Sequence, residues 1–555
     1  MKRNYIKHCI VMALAVILML SMAACTKSEE KEKTPETKSS TEQPEVTSGE
    51  STPNPDEAAW QLDTSPVDLT WFVGASWYGN SWGESLTSRY VTEKTGVNVK
   101  IEVPSGEANE QMTLMMTSGK LPDLISMGSW ENAVKKLWEG DHVYALNELA
   151  EQYDPYFFKV AGDGTLKWYR QENGNTYAIP NDSYSPNLMH ETGMTAANQT
   201  FLVRKDLYED MGKPDLTTPE GFLNALQLIK DQYREYKGQP ISPLFAQGNV
   251  PYGMTEYLHN LLAVPHEQDG KVYDRITDPD YITWLKTFRT AYERGLINVD
   301  FLVDSDTQVE EKTNNARYFM QIREWTGMKA VNPMLAASEN PDSYYIAVDG
   351  PKNSKGESAK LFPGNMDGWM VTMVSKSTKN PERAIRFLTY LSTEEGQRDL
   401  FLGKEGETWE TVDGKPQLKA EMVELLQNDI DKMKEEYGIM DTYWMMRNPV
   451  IINQWNPDNA PVIKQMEEFS NNQADIDGGI YKGLDPMGDS DAAVAWARIS
   501  QNWEEVVPEL ITAKDEAAFD KIFENFLARR GDYGFDKVIE YRQAELDARK
   551  TKMAE

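Results

Sequence analysis

Hydrophobic residues recur along the chain in short runs and at helical spacing, and this pattern predicts an α/β fold. Residues 69–73 form an apolar run typical of a buried strand, and residues 97–103 alternate between apolar and polar positions. Residues 109–118 carry methionines at helical spacing and stop at Gly119, and a further strand begins at 124. This βαβαβ order predicts a mainly parallel sheet with ligands at the carboxyl ends of its strands.

Later helices are indicated by their first residues. Thr218-Pro219, Asp278-Pro279 and Asn380-Pro381 each join a capping side chain to a proline in the first turn. The chain after about residue 416 is predicted to be mostly helical, apart from a loop-rich stretch at 448–461.

The first 24 residues differ from all that follows. Basic residues precede an apolar run at 10–20, and Ala23-Ala24-Cys25 comes next, which is the order of a secretory signal peptide. A cysteine after two alanines resembles a bacterial lipobox, so Cys25 is predicted to be acylated with fatty acid and to anchor the mature chain to the membrane. The alternative is an ordinary signal peptide with an incidental cysteine.

Residues 25–59 contain no aromatic side chain and are rich in Lys, Glu, Thr, Ser and Pro, which predicts a disordered tether. Over its 555 residues the protein has 57 basic and 88 acidic side chains and a net charge of −31. This charge disfavours nucleic acid as a partner. The second cysteine, Cys9, lies within the predicted signal peptide, so the mature chain has no pair of thiols to oxidise.

Several segments, taken in order, resemble the extracellular solute-binding proteins of ABC importers, in particular the large sugar-binding lipoproteins of Gram-positive bacteria. The similarity runs through 118–124 (SGKLPDL), 173–180 (NGNTYAIP), 201–212, 315–325, 380–391 and 402–409. Arg317, Tyr318 and Arg323 depart from the small residues that are usual in the fourth of these segments.

The resemblance implies a two-lobed, periplasmic-binding-protein-like α/β fold. Each lobe would be a mainly parallel sheet flanked by helices, joined to the other by crossing hinge strands. We expect one lobe at 60–180 plus 348–400 and the other at 181–347 plus 401–555. The family's function implies a carbohydrate ligand, which we expect to be an oligosaccharide, and the transmembrane subunits of an ABC permease as partners. We expect a monomer without cofactor or bound metal.

Aromatic residues in predicted loops are the best indicators of a sugar site, because flat rings stack on the apolar faces of sugars. Trp77, Tyr78 and Trp82 follow the first strand in a loop rich in Gly, Ser and Asn. Arg323 could bond hydroxyls or an acid group of the ligand. The full set of predicted ligand-binding residues is Trp77, Tyr78, Trp82, Ser129, Trp130, Arg323, Trp325, Asp367, Trp369, Trp444 and Trp455. Tryptophans within strand-like or helix-like patterns, such as Trp71, Trp284 and Trp503, are expected in the core.

Two other functions stay open. Residues 79–83 (GNSWG) fit the G-x-S-x-G pattern of a nucleophile elbow, so a secreted carbohydrate-active hydrolase using Ser81 and one of His142, His190, His259 and His266 is an alternative. The elbow should follow its strand directly, whereas the first strand ends near Gly74. A peptide-binding transport receptor would share the lobes but would need an anchor for charged termini.

Metal and phosphate chemistry has little support. Neither a phosphate-binding G-x-x-x-x-G-K-[ST] loop nor an H-E-x-x-H zinc helix occurs in the sequence. The acidic stretches at 475–478 and 489–491 lack the spaced oxygen ligands of a recognisable calcium loop, so we expect solvated turns there.

Overall fold

A computed structural model describes residues 53–185, 189–190, 195–248, 250–364, 366–457 and 459–554. The predicted signal peptide, Cys25 and most of the predicted tether lie outside these residues. In the described part of the chain, no helix is both long and apolar enough to cross a membrane.

Two sheets form the centres of two lobes. The strands of the first sheet are β1 (Val67–Val73), β2 (Val97–Glu102), β3 (Leu124–Gly128), β4 (Ile179–Pro180) and, much later in the chain, β9 (Met370–Val374). Those of the second are β5 (Gln199–Arg204), β6 (Ser242–Ala246), β7 (Tyr318–Glu324) and β8 (Tyr345–Ala347). The predicted two-lobed α/β architecture is therefore present.

The first sheet has the order β2-β1-β3-β9-β4. The helices of its lobe are α1 (Leu86–Thr95), α2 (Ala108–Ser118), α3 (Asn132–Glu139), α4 (Leu146–Tyr153), α5 (Phe157–Ala161), α6 (Asp163–Tyr169), and later α13 (Pro381–Ser392) and α14 (Glu394–Phe401). Ser85 caps α1 by accepting from Ser88 N, and Gly96 ends it in a left-handed conformation. Two apolar cores, one with Trp71 and one with Phe72, cover opposite faces of the sheet.

The second sheet has the order β8-β5-β7-β6. Its helices before residue 340 are α7 (Lys205–Asp210), α8 (Pro219–Gln232), α9 (Leu258–Leu261), α10 (Pro279–Glu293), α11 (Asp306–Asn314) and α12 (Val331–Ala336). A π-helical segment, Val250–Tyr257, follows β6. Trp284 and Trp503 lie in the larger of the two cores that pack on this sheet, as predicted.

The carboxyl-terminal part is mostly helical, as predicted. Its helices are α15 (Ala420–Asn428), α16 (Ile430–Lys432), α17 (Pro449–Ile452), α18 (Pro461–Asn471), α19 (Asp491–Ile511), α20 (Glu516–Asp532) and α21 (Phe535–Ala554). Short hairpins pair Glu235–Tyr236 with Gln239–Pro240, Glu267–Gln268 with Lys271–Val272, and Trp409–Val412 with Lys415–Leu418. Helices α18 to α20 belong to the second lobe through its apolar cores.

Each sheet is mainly parallel, as predicted, with one strand that runs against the others. In the first sheet β1 pairs in parallel with β2 and β3, but β9 is antiparallel to both β3 and β4. In the second, β6 and β7 pair in parallel and β8 runs in the same direction, whereas β5 is antiparallel to both β7 and β8. The two opposing strands, β5 and β9, are the ones that the chain enters directly from the other lobe.

The packing also differs from two of the predicted domain boundaries. Residues 348–361, expected in the first lobe, pack on the second: Val348 N donates to Phe201 O (3.0 Å), and Leu361 lies in the core of the second lobe. Residues 401–446, expected in the second lobe, pack on the first, where Tyr443 and Trp444 join its core. The sequence pattern of an amphipathic helix identifies its apolar face but not the sheet against which that face packs, so it cannot assign the helix to a lobe.

Among the described residues, the chain passes between the lobes within 181–198, 362–369 and 447–460, and residues directly beside the second and third passages bond the buried Asn181. Its side-chain oxygen accepts from Met370 N (2.8 Å), and its side-chain nitrogen donates to Trp444 O (3.2 Å). Gly368 has φ of 58°, and a Cβ there would overlap Asn181 O. The described crossing residues lie mostly in loops and, in the third passage, in the short helix α17, whereas strands were expected.

Candidate ligand-binding site

The loops after β1 and β3 lie where the sequence predicts the ligand, at the carboxyl ends of two parallel strands. The loop after β1 is fastened to the segment Met440–Met446: Tyr78 Oη donates to Thr442 O (2.9 Å), and Tyr443 Oη donates to Ser81 O (2.9 Å). Tyr78 is itself buried. This loop therefore presents its remaining side chains from a fixed position.

Trp77, Trp369 and Trp444 form one aromatic group, which we call the tryptophan platform. The Trp77 ring stacks 5.5 Å from Trp444 and 6.4 Å from Trp369, and the centroids of Trp369 and Trp444 are 4.4 Å apart. Trp444 is buried, whereas Trp77 is 68% exposed. The structure thus brings together three predicted site residues that are far apart in the sequence and gives the outermost ring an open face.

A charged network holds the platform from behind. Trp369 Nε1 donates to Asp182 Oδ2 (2.8 Å), and Arg447 donates to both oxygens of Asp182 from Nε (2.7 Å) and Nη2 (2.8 Å). Arg447 Nη1 also contacts Asp441. Bidentate pairing of this kind fixes the orientation of both partners. Because Asp182 and Arg447 lie on different passages between the lobes, the orientation of the platform depends on how those passages meet.

Trp82, Trp325 and Trp455 are buried and do not join the platform. Trp82 donates from Nε1 to Thr92 Oγ1 (2.8 Å) and packs 4.9 Å from the ring of Tyr443. Trp325 donates to Ala197 O (3.0 Å) within the core of the second lobe, and Trp455 lies in a separate small core with Phe401. Their rings occupy packing positions, so a role in ligand contact for these three stays a prediction.

Trp130 is the second exposed ring at this end of the first sheet. It is 50% exposed, and its ring lies against Gly128, where a Cβ would overlap it. The neighbouring Ser129 N donates to Trp369 O (3.1 Å), which joins the loop after β3 to the second passage between the lobes.

Arg323 and Asp367 lie apart from the exposed rings. The Arg323 guanidinium packs over the Phe245 ring, 5.6 Å from its centroid, and donates from Nη1 to Gln321 Oε1 (3.1 Å). Burial lowers the pKa of Arg323. Asp367 lies at the second passage, where its backbone oxygen accepts from Tyr169 Oη (2.5 Å), and burial raises the pKa of its carboxyl group.

The second lobe contributes residues that the sequence did not single out, at the carboxyl ends of β6 and β7. Tyr252 is 41% exposed on the π-helical segment, and its ring lies 6.3 Å from that of Tyr257. Tyr257 Oη donates to Glu324 Oε1 (2.8 Å), and Gln199 Nε2 donates to Glu256 Oε1 (3.5 Å). Single glutamates cannot be recognised among 88 acidic residues, so no usable signal in the sequence points to Glu256 or Glu324.

Glu131 belongs to this group although it lies on the first lobe. Burial, together with the carboxylates of Glu256, Glu131, Glu324 and Glu504, raises the pKa of Tyr252 to about 12. We call Trp130, Glu131, Tyr252, Glu256, Glu324 and Glu504 the acidic rim.

The geometry does not resemble a nucleophile elbow at Ser81. β1 ends at Val73 and α1 begins at Leu86, so Ser81 lies in a loop distant from both ends. In the described residues, none of the hydrogen bonds of Ser81 involves a histidine. Nor do any three His, Cys, Asp or Glu side chains of the described ranges group so that they could hold a metal ion.

The family profile described as bacterial extracellular solute-binding protein matches residues 78–398, more than half of the chain. Lipoprotein LipO of Bacillus subtilis (strain 168) is 22% identical over 343 residues, which cover 60% of this chain and 65% of LipO.

Two solved structures show the same fold. The alginate-binding protein AlgQ2, in a structure without calcium ion, aligns with a TM-score of 0.64 and 16% identity over 88% of this chain and 100% of its own. The S. pneumoniae ABC-transporter substrate-binding protein FusA, in complex with kestose, aligns with a TM-score of 0.64 and 16% identity over 87% of this chain and 100% of its own. The chain belongs to the bacterial extracellular solute-binding protein family.

Proposed function

We propose that this protein captures an extracellular oligosaccharide between its lobes and delivers it to the permease of an ABC transporter. The observation that carries the proposal is the open face of Trp77, which lies on a stack with Trp369 and Trp444 at the junction of the lobes. A sugar ring presents an apolar C–H face to such a ring, while its hydroxyls bond polar groups around the edge.

The relatives agree with a carbohydrate ligand and with a membrane anchor. AlgQ2 is an alginate-binding protein, and FusA was solved with kestose. LipO is a lipoprotein, which favours acylation at Cys25 in this chain. The second exposed ring, Trp130, favours a ligand of more than one sugar unit.

Binding acts through the lobes. A ligand that touches both lobes stabilises the arrangement in which they close over it, and a permease can recognise that arrangement. Trp77 and Trp130 would contact the ligand from the first lobe and Tyr252 from the second. A tether from Cys25 would keep the closed receptor at high effective concentration near its permease. The protein itself needs no cofactor for this cycle.

A thermal-shift screen tests the proposal directly. The probe protein is the chain with Cys25→Ser, which removes the predicted site of acylation, and the ligands are plant, algal and host oligosaccharides together with peptides. A binder should raise the melting temperature in proportion to the logarithm of its concentration well above Kd. Stabilisation by peptides alone, or chemical conversion of a glycan, would contradict the proposal.

Trp77→Ala should then weaken binding of the glycan that emerges by about tenfold to a hundredfold, because an exposed aromatic anchor is lost. Its effect on the melting temperature without ligand should be small, since the ring is largely exposed. Trp325→Ala should instead lower the stability of the protein without ligand by about 3 to 5 kcal/mol, because it empties a core position. Tyr292→Ala, on the exposed side of α10, is the control for removal of a surface ring. Unchanged affinity in Trp77→Ala would show that the platform is not the site.

The anchor is tested separately in cells. An alkyne-labelled fatty acid should label the wild-type protein and not Cys25→Ser, and only the variant should appear in the medium. Release of the wild-type protein to the same extent would contradict acylation at this residue.

A further inference from the structure

The carboxylate of Asp182 joins side chains from all three described passages between the lobes. Asp182 lies on the first passage, and its Oδ2 accepts from Trp369 Nε1 (2.8 Å) on the second and from Arg447 Nη2 (2.8 Å) on the third. Arg447 Nε donates to the other oxygen, Oδ1 (2.7 Å), and Asp182 N donates to Arg447 O (2.9 Å). The side chain of Asp182 is only 11% exposed. One nearly buried carboxylate therefore holds a ring of the tryptophan platform together with the segments that link the lobes.

The backbone beside this carboxylate adopts conformations that residues other than glycine rarely take. Asp182 has φ of 47°, and Met440, which precedes the second carboxylate that Arg447 contacts, has φ of 57°. Such conformations cost free energy and persist where the surrounding structure holds them. At Asp182 the holding contacts are those to Arg447 and Trp369. The position of this carboxylate is therefore set by tertiary contacts and not by local backbone preference.

Arg447 is itself fixed from the first lobe. Its Nη1 contacts Asp441, and its backbone N donates to Trp444 O (3.0 Å). The next residue, Asn448, donates from its backbone N to Gln397 Oε1 (2.7 Å) on α14. The third passage thus begins from a fixed position, and Asp182 and Trp369 are oriented against it.

Asp182 and Arg447 are placed to act on a ligand through Trp369 and not by contact. Both carboxylate oxygens of Asp182 and all three guanidinium nitrogens of Arg447 already bond groups of the protein. A planar guanidinium that bonds a carboxylate in the bidentate manner fixes the orientation of its partner. The indole that shares this carboxylate then takes its orientation from the ion pair.

We infer that Asp182 and Arg447 are positioning residues, which orient Trp369 for a sugar on the tryptophan platform and also hold the three passages together. This inference rests on the proposed function and adds to it residues that do not touch the sugar. A sugar seated on the platform and the arrangement of the passages then act on the same ion pair. A change in either must alter the other, because such coupling is reciprocal.

Affinities of single and double variants test the inference. The probe is the tightest binder among kestose, tetragalacturonate, Man5GlcNAc and lacto-N-tetraose. Trp369→Phe keeps a ring but removes the bond to Asp182, and Arg447→Lys keeps the charge but loses the bidentate pairing. Each should weaken binding by about threefold to tenfold. In the Trp369→Phe background, Arg447→Lys should cost less than about twofold, because the ring no longer depends on the ion pair.

Asp182→Asn replaces Arg447→Lys if the lysine variant does not fold. Asparagine also tolerates a positive φ and keeps an acceptor oxygen, but it removes the charge that Arg447 pairs with. The same loss of affinity, and the same disappearance of that loss in the Trp369→Phe background, are expected.

Two substitutions elsewhere in the first lobe are matched controls. Arg383→Lys alters a buried guanidinium that pairs with Asp63 (3.1 Å) and donates to Thr95 O (2.9 Å). Trp71→Phe removes an indole hydrogen bond to Ser126 Oγ (2.8 Å). Both should lower the melting temperature and leave affinity for the probe unchanged, since neither includes a residue of a passage. A loss of affinity in the controls equal to that in Arg447→Lys would show that lowered stability alone weakens binding.

Hydrogen exchange of the free protein tests the same junction without a ligand. The amides of Asn181, Asp182 and Met370 each bond a residue of another segment. Arg447→Lys should accelerate their exchange by about threefold or more, whereas Arg383→Lys should not. Unchanged exchange in Arg447→Lys would overturn its role in holding the passages together.

The outcomes separate this inference from the proposed function. Unchanged affinity in Trp369→Phe and Arg447→Lys, together with weakened binding in Trp77→Ala, would overturn the positioning role and leave oligosaccharide capture intact. An undiminished effect of Arg447→Lys in the Trp369→Phe background would overturn it as well. Failure of the wild-type protein to bind any of the four probes or any glycan of the thermal-shift screen would contradict the proposed function, and hydrogen exchange would still decide whether the junction holds the passages.

Discussion

At the scale of single residues, Trp77 and Trp82 show how one loop uses the same side chain for two purposes. Trp82 turns inward, bonds Thr92 and packs on Tyr443, so its surface contributes to the stability of the first lobe. Trp77 turns outward onto Trp369 and Trp444 and leaves one face open. The same indole therefore stabilises the fold at one position and is available to a ligand at the other.

Asp154 gives a pH dependence that can be measured. It is fully buried and accepts from Ala59 N (3.1 Å), and burial raises its pKa from 3.8 to about 6. The native state therefore holds more protons than the unfolded state between these two values. This contribution to stability is complete below the lower pKa and is lost as the pH rises through the upper one, by at most about 3 kcal/mol.

Asp154→Asn removes this titration. Urea unfolding at about pH 4 and about pH 7 should show that the variant's stability relative to wild type improves by about 2 to 3 kcal/mol at the higher pH. A difference between the two proteins that is the same at both pH values would contradict the raised pKa. Asp56→Asn, at an exposed position on the same side of the lobe, is the control.

At the scale of elements, local chemistry predicted the first three strands and the proline-capped helices, but not which elements pack against them. Thr218 accepts from Gly221 N (3.2 Å) and Asp278 from Asp280 N (2.9 Å), so two of the predicted caps form, whereas the Asn380 side chain makes no capping bond. The loops after β1 and β3 each carry one exposed ring, Trp77 and Trp130, whereas Tyr78 and Trp82 are buried. Which of those rings stay exposed depends on residues 440–446, which pack against them from a distant part of the chain.

The acidic rim could not be predicted for a related reason. Glu131 lies on the first lobe and Tyr252 and Glu324 on the second, and nothing in the local sequence of any of them indicates the other two. Arg323 shows the converse: it was predicted to bond hydroxyls or an acid group of the ligand, whereas its guanidinium packs over Phe245 and donates to Gln321.

Gly368 is a position in the second crossing segment where the backbone leaves no room for a side chain. Its φ is 58°, and a Cβ would overlap Asn181 O, so Gly368→Ala should cost more than about 2 kcal/mol and displace the neighbouring Trp369. Gly356 has φ of 70° but open space around it, so Gly356→Ala should cost only about 1 kcal/mol of backbone strain. Chemical denaturation with tryptophan fluorescence measures both. Equal costs in the two variants would show that contact with Asn181 is unimportant.

At the scale of the whole molecule, α21 links the carboxyl-terminal region to the first lobe. Arg549 donates to the backbone oxygens of Ile480, Lys482 and Gly483 and packs 4.8 Å from the centroid of Trp168 on α6. Lys136 on α3 and Asp489 add an ion pair of 2.7 Å. The last helix therefore connects the lobes in addition to the three chain passages.

Arg549→Ala should loosen this connection. Loss of hydrogen bonds from a buried guanidinium should cost about 1 to 3 kcal/mol, and hydrogen exchange should accelerate both at 480–483 and in α6. Lys514→Ala, at an exposed site before α20, should leave exchange unchanged. Acceleration confined to the last turn of α21 would contradict a link between the lobes.

The position of β9 in the first sheet has a consequence for how the protein acquires its fold. β9 lies between β3 and β4, and the bond from Ser126 to Thr372 joins residues separated by 246 positions. β4 therefore cannot complete its pairing in the sheet until all four strands of the second lobe have been synthesised and β9 has returned. Closing so long a loop is slow, so we expect the first lobe to complete its sheet late and the nascent chain to carry an unfinished sheet edge until then.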